Sequence, residues 1–340
     1  MSGNQQRSRS CGTRLYTAAS VLALALAAAT PALAGGTITT FDVSGASSTA
    51  GFRINDKGVI LGSWADAKNH NHGFVRAADG TITTFDPKRS HNTFIMGINR
   101  RGAVTGYYAV DKHTVAGFVR SARGRIRRFD PEGSYGTEPC CINDTGVIAG
   151  TYRDINSVHH GFVRAADGTV TTFDPPESIL TAVTGLNDNG DIAGDYQVAG
   201  GVIHGFFRSA DGTITSFDVR KKGWTFPYSI SAKSAVTGFY DHGGMESGFV
   251  RSATGKIIRF DAPGSVDTFP ADINRTGTIA GSYVDSSAEH GFLRERNGQF
   301  TVFDVPKANS TIAWGINAAE WVTGWYSDSK GVTHGFIREP

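Results

Sequence analysis

One unit of 43 or 44 residues recurs along most of this 340-residue chain, and no other feature restricts the possible folds as strongly. The dipeptide Phe-Asp begins at Phe41, Phe85, Phe129, Phe173, Phe217, Phe260 and Phe303. A Gly-Phe-x-Arg motif keeps the same spacing and ends at Arg76, Arg120, Arg164, Arg208, Arg251, Arg294 and Arg338. A Gly-x-aromatic motif ends at Trp64, Tyr108, Tyr152, Tyr196, Tyr240, Tyr283 and Tyr326. Because three motifs share one period, the sequence indicates an array of equivalent units.

Each unit contains four short runs that are typical of β-strands. In the second unit these runs are residues 93–99, 103–109, 115–121 and 125–130. They are rich in β-branched and aromatic residues, and turn residues separate them. Four strands in about 40–45 residues are the signature of a β-propeller blade. The sequence therefore predicts an all-β fold with four antiparallel strands in each blade.

The two ends of the array predict that it closes into a ring. The array begins with a strand of the fourth type, residues 37–42, and ends with a strand of the third type, residues 334–338. The N-terminal strand can therefore complete the last blade and leave no open sheet edge there, which gives a seven-bladed β-propeller over residues 35–340. The alternative is a parallel β-helix, but such a solenoid would not need mismatched ends and would need polar capping units.

Residues 1–34 have the pattern of a secretory signal peptide. A polar start with three arginines precedes an apolar run over residues 18–29, and Ala32-Leu33-Ala34 supplies an A-x-A cleavage pattern. A membrane anchor is the alternative, but a helix needs about 20 apolar residues to cross a bilayer. We therefore expect a secreted protein, extracellular or periplasmic, with no membrane span.

The charge balance argues against a nucleic-acid partner. The chain has 33 basic and 31 acidic residues, and three of the basic ones lie in the predicted signal peptide. The remaining chain is nearly neutral, so it lacks the basic surface that nucleic acids require.

We expect the protein to be a monomer.

Only two cysteines, Cys140 and Cys141, follow the predicted signal peptide. Neighbours in a strand point to opposite faces of the sheet, which places this pair poorly for an ordinary disulfide. The sequence leaves their redox state open. It predicts no disulfide framework, so we expect packing to stabilise the fold.

One phrase of the repeat resembles a known family. His160-Gly161-Phe162-Val163-Arg164, followed by Asp167 to Asp174, is similar to the bacterial extracellular repeats called the HAF family, with Gly where that name implies Ala. The resemblance covers nearly the whole chain after the predicted signal. It implies an exported repeat protein, and the family supplies no catalytic motif that could be transferred to this sequence.

Residues that recur in every unit are interpreted as scaffold. The Phe of Phe-Asp should pack between blades, and the Asp should close the outer strand as a turn initiator. Calcium binding is the alternative, and the segment from Asn187 to Asp191 comes nearest to a calcium loop, yet it coincides with a hairpin turn. The repeated arginines should pack their stems on aromatic rings, although a ladder of arginines could instead grip an acidic polymer.

Histidine precedes Gly-Phe in five units, at His72, His160, His204, His290 and His334. An aspartate in the adjoining strand connection accompanies four of them, at Asp66, Asp154, Asp285 and Asp328. We predict hydrogen bonds between these groups that brace the connection; a catalytic base with its orienting carboxylate is the alternative. A zinc site would need three or four ligands at one point, so no metal and no cofactor are expected.

A threonine recurs five residues before the Ile of Ile-Asn or its equivalent, at Thr49, Thr93, Thr137, Thr181, Thr225, Thr268 and Thr311. Each hydroxyl is predicted to cap its own entry loop. A ring of seven hydroxyls that holds water or an ion near the axis is the alternative.

The candidate binding residues are those that break the repeat. The tight turns fall at one end of the blades, whereas the second-to-third and blade-to-blade connections fall at the other end, which we name the long-connection face. Loops on a rigid scaffold commonly carry function. The candidates on this face are Arg89, His91, Tyr135, Glu138, Lys221, Trp224 and His242. Their mixture of aromatic, basic and acidic groups suits a polysaccharide.

Three functions remain open at this point. The preferred one is an exported binding or interaction module for extracellular or cell-surface material, with polysaccharide as the ligand. The alternative is a carbohydrate-active enzyme, a polysaccharide lyase or glycosidase that uses His, Tyr and Arg as acid–base groups. A purely structural surface protein is the third. The sequence contains no Gly-x-Ser-x-Gly, His-Glu-x-x-His or phosphate-loop motif.

Overall fold

The structure is a computed structural model that describes residues 36–340. The predicted signal peptide, residues 1–34, lies outside the described residues. The described part of the chain forms 28 β-strands and no helix. The first fourteen are β1 (Thr37–Phe41), β2 (Ser48–Ile54), β3 (Ile60–Ala65), β4 (Asn71–Arg76), β5 (Ile82–Phe85), β6 (Thr93–Ile98), β7 (Val104–Ala109), β8 (Val115–Arg120), β9 (Ile126–Phe129), β10 (Gly136–Ile142), β11 (Ile148–Arg153), β12 (His159–Arg164), β13 (Val170–Phe173) and β14 (Ser178–Leu186). The others are β15 (Ile192–Val198), β16 (Ile203–Arg208), β17 (Ile214–Phe217), β18 (Trp224–Ile230), β19 (Val236–His242), β20 (Met245–Arg251), β21 (Ile257–Phe260), β22 (Asp267–Ile273), β23 (Ile279–Val284), β24 (Glu289–Arg294), β25 (Phe300–Phe303), β26 (Ser310–Ile316), β27 (Val322–Ser327) and β28 (Thr333–Glu339).

The strands pair antiparallel in groups of four, as predicted. We call these groups units: unit 1 is β2–β5, unit 2 is β6–β9, unit 3 is β10–β13, unit 4 is β14–β17, unit 5 is β18–β21, unit 6 is β22–β25, and unit 7 is β26–β28 with β1. Single parallel contacts join unit 2 to unit 3, through Val115 and Gly136, and unit 6 to unit 7. Strand β1 pairs with β28 from Thr37 opposite Glu339 to Phe41 opposite Gly335. The first strand of the chain thus lies beside the last one.

The repeated glycines make room for buried phenylalanine rings. A Cβ at Gly150 would lie 2.5 Å from the carbonyl oxygen of Glu138 and 2.9 Å from the ring of Phe162. A Cβ at Gly161 would lie 2.6 Å from the ring of Phe173. All three distances are too short for a Cβ, so the motif requires glycine at these two positions. The phenylalanines of Gly-Phe-x-Arg are fully buried as a result, at Phe74, Phe118, Phe162, Phe206, Phe249, Phe292 and Phe336.

The phenylalanine of Phe-Asp packs between units, as predicted. Phe129 of unit 2 meets Phe162 of unit 3 edge to face, with 6.0 Å between ring centroids. Phe41 in β1 meets Phe74 of unit 1 in the same way at 5.9 Å. Edge-to-face contact is a favourable arrangement for two aromatic rings. Unit 7 therefore packs against unit 1 through the same kind of ring contact that joins units 2 and 3.

The repeated arginines lie over the same rings. The guanidinium of Arg164 is 5.0 Å from the centroid of Phe129, and its Nη1 donates to the carbonyl of Ala165. Equivalent contacts at 4.5 to 5.1 Å occur for Arg76, Arg120, Arg208, Arg251, Arg294 and Arg338. Burial lowers the pKa of Arg164 and Arg120. These contacts confirm that the repeated arginines are scaffold.

Asparagine side chains link successive units at the turn between the first and second strands. Asn55 Nδ2 donates to the carbonyl of Asn99 at 3.1 Å, and Asn99 Nδ2 donates to the carbonyl of Asn143 at 2.9 Å. Asn317 in unit 7 donates in turn to the carbonyl of Asn55 in unit 1. The segment from Asn187 to Asp191 is one of these turns, as predicted, because Asn187 N donates to the carbonyl of Asp191.

The expectation that Cys140 and Cys141 are poorly placed for a disulfide was wrong. Cys140 and Cys141 form a disulfide within β10. The pairing of β10 with β11 shifts between Pro139 and Cys141, which marks a β-bulge at this pair. A bulge breaks the strict alternation of side chains on which the prediction relied.

Candidate functional site

The long-connection face carries most of the exposed apolar side chains of the described residues. Nine large apolar side chains are exposed between residues 36 and 340. Eight of them lie on this face: Tyr135, Ile155, Ile179, Val202, Trp224, Met245, Val266 and Val332. The ninth, Ile258, lies in the outer strand β21. Because exposed apolar groups gathered on one surface commonly mark an interaction site, this face is the candidate binding surface.

The expectation that the connections on this face are long holds only in part. Asp66 N donates to the carbonyl of His70, so the connection from β3 to β4 is itself a tight turn. Between β19 and β20 only Gly243 and Gly244 intervene. The unit-to-unit connections, such as residues 86–92, are the longer ones. The name long-connection face is kept for this end of the units.

All five repeated histidines make the same side-chain contact with an aspartate. Each Nδ1 lies within 2.6 to 2.9 Å of a carboxylate oxygen of the Phe-Asp aspartate in its own unit, in the pairs His72–Asp86, His160–Asp174, His204–Asp218, His290–Asp304 and His334–Asp42. Each ring also packs on the residue that ends the Gly-x-aromatic motif, with 4.4 to 5.3 Å between ring centroids. These histidines fix the start of the third strand to the end of the fourth.

The predicted hydrogen bonds between these histidines and the aspartates of the preceding connection are absent in units 1, 3 and 7, where 3.6 to 3.8 Å separates the two side chains. Asp66 Oδ2 lies 3.7 Å from His72 Nε2, which is beyond hydrogen-bond distance. Asp66 Oδ1 instead accepts from the main-chain N–H groups of Lys68 and His70, and the bond from His70 lowers the pKa of Asp66. An aspartate that hydrogen-bonds the backbone ahead of it forms a turn by itself. Asp66 thus closes its own connection.

Unit 6 has the tightest arrangement around its histidine. Asp285 Oδ2 lies 3.3 Å from His290 Nε2, and Asp304 lies on the other side of the ring. Burial raises the pKa of Asp285, but hydrogen bonds from Ser287 and Ala288 outweigh it and lower the pKa to about 2. The hydrogen bond with Asp304 raises the pKa of His290. This imidazole therefore lies between two carboxylates.

The Phe-Asp aspartate does more than the predicted initiation of a turn. Asp86 accepts from His72 and also from the hydroxyl of Thr93 at 2.5 Å. In other units the hydroxyl of the repeated threonine accepts a hydrogen bond from a main-chain N–H of the entry loop. In unit 1, for example, Val43 N donates to Thr49 Oγ1 at 3.1 Å. The prediction that the threonines cap their entry loops is confirmed.

Two units lack the histidine, and another side chain takes part of its role in each. In unit 2, where Ala116 stands at this position, Arg128 Nε donates to Asp130 at 2.6 Å. In unit 5, Ser247 stands there, and the ring of His242 stacks on Tyr240 with 5.2 Å between centroids. His242 was predicted as a ligand-binding residue, and its stacking matches that of the repeated histidines.

The seven predicted site residues occupy three separate places on the long-connection face. Arg89 and His91 are exposed in the connection between units 1 and 2. Tyr135, 39% exposed, directly precedes β10, and Glu138 is the half-buried third residue of that strand.

The third place is in unit 5 and its entry connection. Lys221 is exposed in the connection, and Trp224, 41% exposed, begins β18. Trp224 pairs with Asp241, the neighbour of His242 in β19. His242 therefore lies one residue from the strand partner of Trp224, and its own ring stacks on Tyr240.

Sequence reasoning missed Arg153, which ends β11 beside Tyr135. Its guanidinium lies 5.0 Å from the centroid of the Tyr135 ring. The other units have Ala65, Ala109, Gln197, Asp241, Val284 and Ser327 at this position. Comparison of the units at the end of the second strand would have revealed it.

The opposite face holds a charged cluster where the first turns of several units converge. Arg100 Nη2 lies 2.9 Å from Asp144 and 3.6 Å from Asp188, and Arg100 Nε lies 3.9 Å from Asp56. A depression of about 520 Å³ lies between units 6 and 7 and is lined by Thr278, Arg296 and Glu320. None of the predicted site residues lies on this face.

Within residues 36–340, no three His, Cys, Asp or Glu side chains are grouped so as to hold a metal ion. That part of the chain also contains no helix long and apolar enough to cross a bilayer.

Solved structures resemble this arrangement of strands. Virginiamycin B lyase from Staphylococcus aureus is 14% identical, with a TM-score of 0.58 over 89% of this chain and 99% of that chain. The β-propeller domain of the Trilobed protease from Pyrococcus furiosus is 10% identical, with a TM-score of 0.61 over 86% of this chain and 94% of that chain. The chain has a β-propeller fold. At such low identity the likeness establishes the fold of this propeller alone.

No protein-family model matches the propeller, and no curated protein matches its sequence. The resemblance to HAF repeats therefore stays a prediction.

Proposed function

We propose that the chain is an exported, ring-closed, seven-bladed β-propeller that binds extracellular or cell-surface polysaccharide through its long-connection face. The predicted signal peptide and the resemblance to HAF repeats support export. The observation that carries the proposal is the concentration of exposed apolar side chains on that one face.

Three contacts support closure of the ring, with the units as blades. Strand β1 pairs with β28, and the chain then continues directly into unit 1. Phe41 packs on Phe74, and Asn317 bonds Asn55, as at the other junctions between units. Closure would bring the connections of all the units to a common rim.

Two exposed aromatic side chains support a sugar ligand. Tyr135 directly precedes the first strand of unit 3, Trp224 begins the first strand of unit 5, and each exposes about two-fifths of its surface. Aromatic faces stack on the apolar faces of sugar rings while neighbouring polar groups bond the hydroxyls. Arg153 lies over the ring of Tyr135, and Asp241, the neighbour of His242 in β19, pairs with Trp224.

The repeated polar groups favour binding over catalysis. Each repeated histidine uses Nδ1 on a scaffold aspartate, and the repeated arginines cover phenylalanine rings. These groups hold the units together in the same way wherever they occur. The residues that differ between units are therefore the better candidates for ligand contact.

The test is binding of the purified exported protein to a panel of neutral and acidic polysaccharides, with reducing and unsaturated ends measured in the same samples. We expect binding without new ends, and about tenfold weaker binding for Tyr135→Ala and Trp224→Ala. Ile258→Ala is the matched control, because Ile258 is equally exposed but lies off the face. Binding to no polysaccharide would overturn the ligand class, and turnover abolished by His91→Ala or Tyr135→Ala would favour the enzyme alternative.

Export is tested separately by expressing the full chain and a chain that lacks residues 2–34. We expect the full chain to be cleaved near Ala34 and recovered outside the cytoplasm, and the shortened chain to remain inside. An uncleaved full chain retained in the cytoplasm would contradict export.

A further inference from the structure

Arg153 is held at the junction of units 2 and 3 by groups from two other segments of the chain. Its guanidinium lies over Tyr135, and Nη2 donates to the carbonyl of His113 at 2.8 Å. The main chain of Tyr135 donates back to the carbonyl of Arg153 at 2.6 Å. Gly136 pairs with Arg153, and the guanidinium lies beside it, with Nε 3.7 Å from the position that a Cβ would take. The side chain is therefore positioned before any ligand arrives.

The charge of this guanidinium is available to a ligand. The contacts of Arg153 are with an aromatic ring and a carbonyl oxygen, whereas Arg100 and Arg128 lie against carboxylates. A guanidinium has five N–H donors in a planar fork, and one of them serves His113. A fork of this kind matches the two oxygens of a carboxylate.

His159 adds a neutral polar group beside the arginine. It lies opposite Arg153 on the neighbouring strand. Burial lowers the pKa of His159, and the positive charge of Arg153 lowers it further. A neutral imidazole can donate to or accept from a sugar hydroxyl.

We propose that Arg153 binds the carboxylate of an acidic sugar residue while Tyr135 contacts the sugar ring, so that the preferred ligand is a polyuronate. This inference rests on the proposed function, because it names the class of polysaccharide bound by the same face. It also explains why unit 3 alone has an arginine at the end of its second strand.

The experiment compares an oligogalacturonate with its methyl ester by calorimetry, because esterification removes the charge and keeps the sugar backbone. We expect the exported protein to bind the free acid about tenfold more tightly than the ester. Arg153→Met should remove this preference, and Arg153→Lys should restore part of it, because lysine keeps the charge but lacks the fork. Arg220→Met is the matched control and should keep the preference, since Arg220 is an exposed arginine in another connection of the same face.

The outcomes separate this inference from the proposed function. Equal binding of acid and ester, or a preference that survives in folded Arg153→Met, overturns the inference and leaves polysaccharide binding intact. Tighter binding of a sulfated dextran than of the oligogalacturonate also overturns the carboxylate class. Binding of no polysaccharide overturns both. Circular dichroism and thermal unfolding establish that each variant is folded.

Discussion

Asn317 donates from its side-chain Nδ2 to the main-chain carbonyl of Asn55 at 3.2 Å, although 262 positions separate the two residues. Its Oδ1 also accepts from the N–H groups of Ala319 and Trp321. Asn99 makes the same three hydrogen bonds at an internal junction. Its Nδ2 donates to the carbonyl of Asn143, and its Oδ1 accepts from the N–H groups of Arg101 and Ala103. The junction between the last and first units is therefore built like an internal one.

The first prediction compares these two asparagines. Asn317→Ala and Asn99→Ala should each lower the free energy of unfolding by about 3 kcal/mol, because each removes one buried and two part-buried hydrogen bonds and leaves main-chain groups unpaired. Chemical denaturation of the two variants measures the costs. A much smaller cost for Asn317→Ala would indicate that units 7 and 1 are not joined in solution.

The second prediction concerns the pH dependence of stability at His290. The hydrogen bond with Asp304 raises the pKa of His290 above its ordinary value of 6.5. The folded state then binds this proton more tightly than the unfolded chain, so the stabilisation is complete below pH 6.5 and is lost as the pH rises through the raised pKa. The free energy of unfolding should fall with rising pH, and it should fall less in His290→Gln.

Urea denaturation at a series of pH values below and above 6.5 measures this fall in the free energy of unfolding. His113→Gln is the matched control, because His113 is exposed on the same face and its side chain is not part of a His–Asp pair. Identical pH profiles for the wild type and His290→Gln would contradict the assigned role of Asp304.

The third prediction concerns the disulfide between Cys140 and Cys141. A link between adjacent residues closes the smallest possible loop and restricts the unfolded chain little, so its reduction should cost about 1 kcal/mol. Both cysteines should resist alkylation until the protein is reduced, and the reduced protein should remain folded by circular dichroism. Unfolding upon reduction would show that this bond, and not packing, maintains unit 3.

The repeat period predicted the fold well because strand-forming residues, turn residues and glycines recur at equivalent positions in every unit. The same reasoning failed at Cys140, where a shift of strand register between Pro139 and Cys141 interrupts the alternation of side chains. It also failed at Asp66, which the sequence places equally well beside a histidine or within its own turn. Only the distances decide between them.

The candidate site was partly predictable for a related reason. Breaks in the repeat drew attention to Tyr135 and Trp224, which the structure exposes on one face. In unit 5 the ring of His242 stacks on Tyr240, where the other units use the histidine that Ser247 replaces. The two residues lie on neighbouring strands, so comparison of the units position by position does not show this exchange. Arg153 was missed because the comparison did not extend to the end of the second strand.

Closure of the ring is the central claim, because the common rim depends on it, and an engineered disulfide between β1 and β28 tests it most directly. Thr37 and Glu339 are paired neighbours in the two strands. In Thr37→Cys/Glu339→Cys the new cysteines should form a disulfide on oxidation, seen as the loss of two titratable thiols, and should stabilise the protein by about 5 kcal/mol because the loop spans nearly the whole domain. Thr37→Cys/Thr84→Cys, whose second cysteine lies in unit 1, is the control that should keep both thiols free. Two free thiols in the oxidised, folded Thr37→Cys/Glu339→Cys protein would contradict a closed ring.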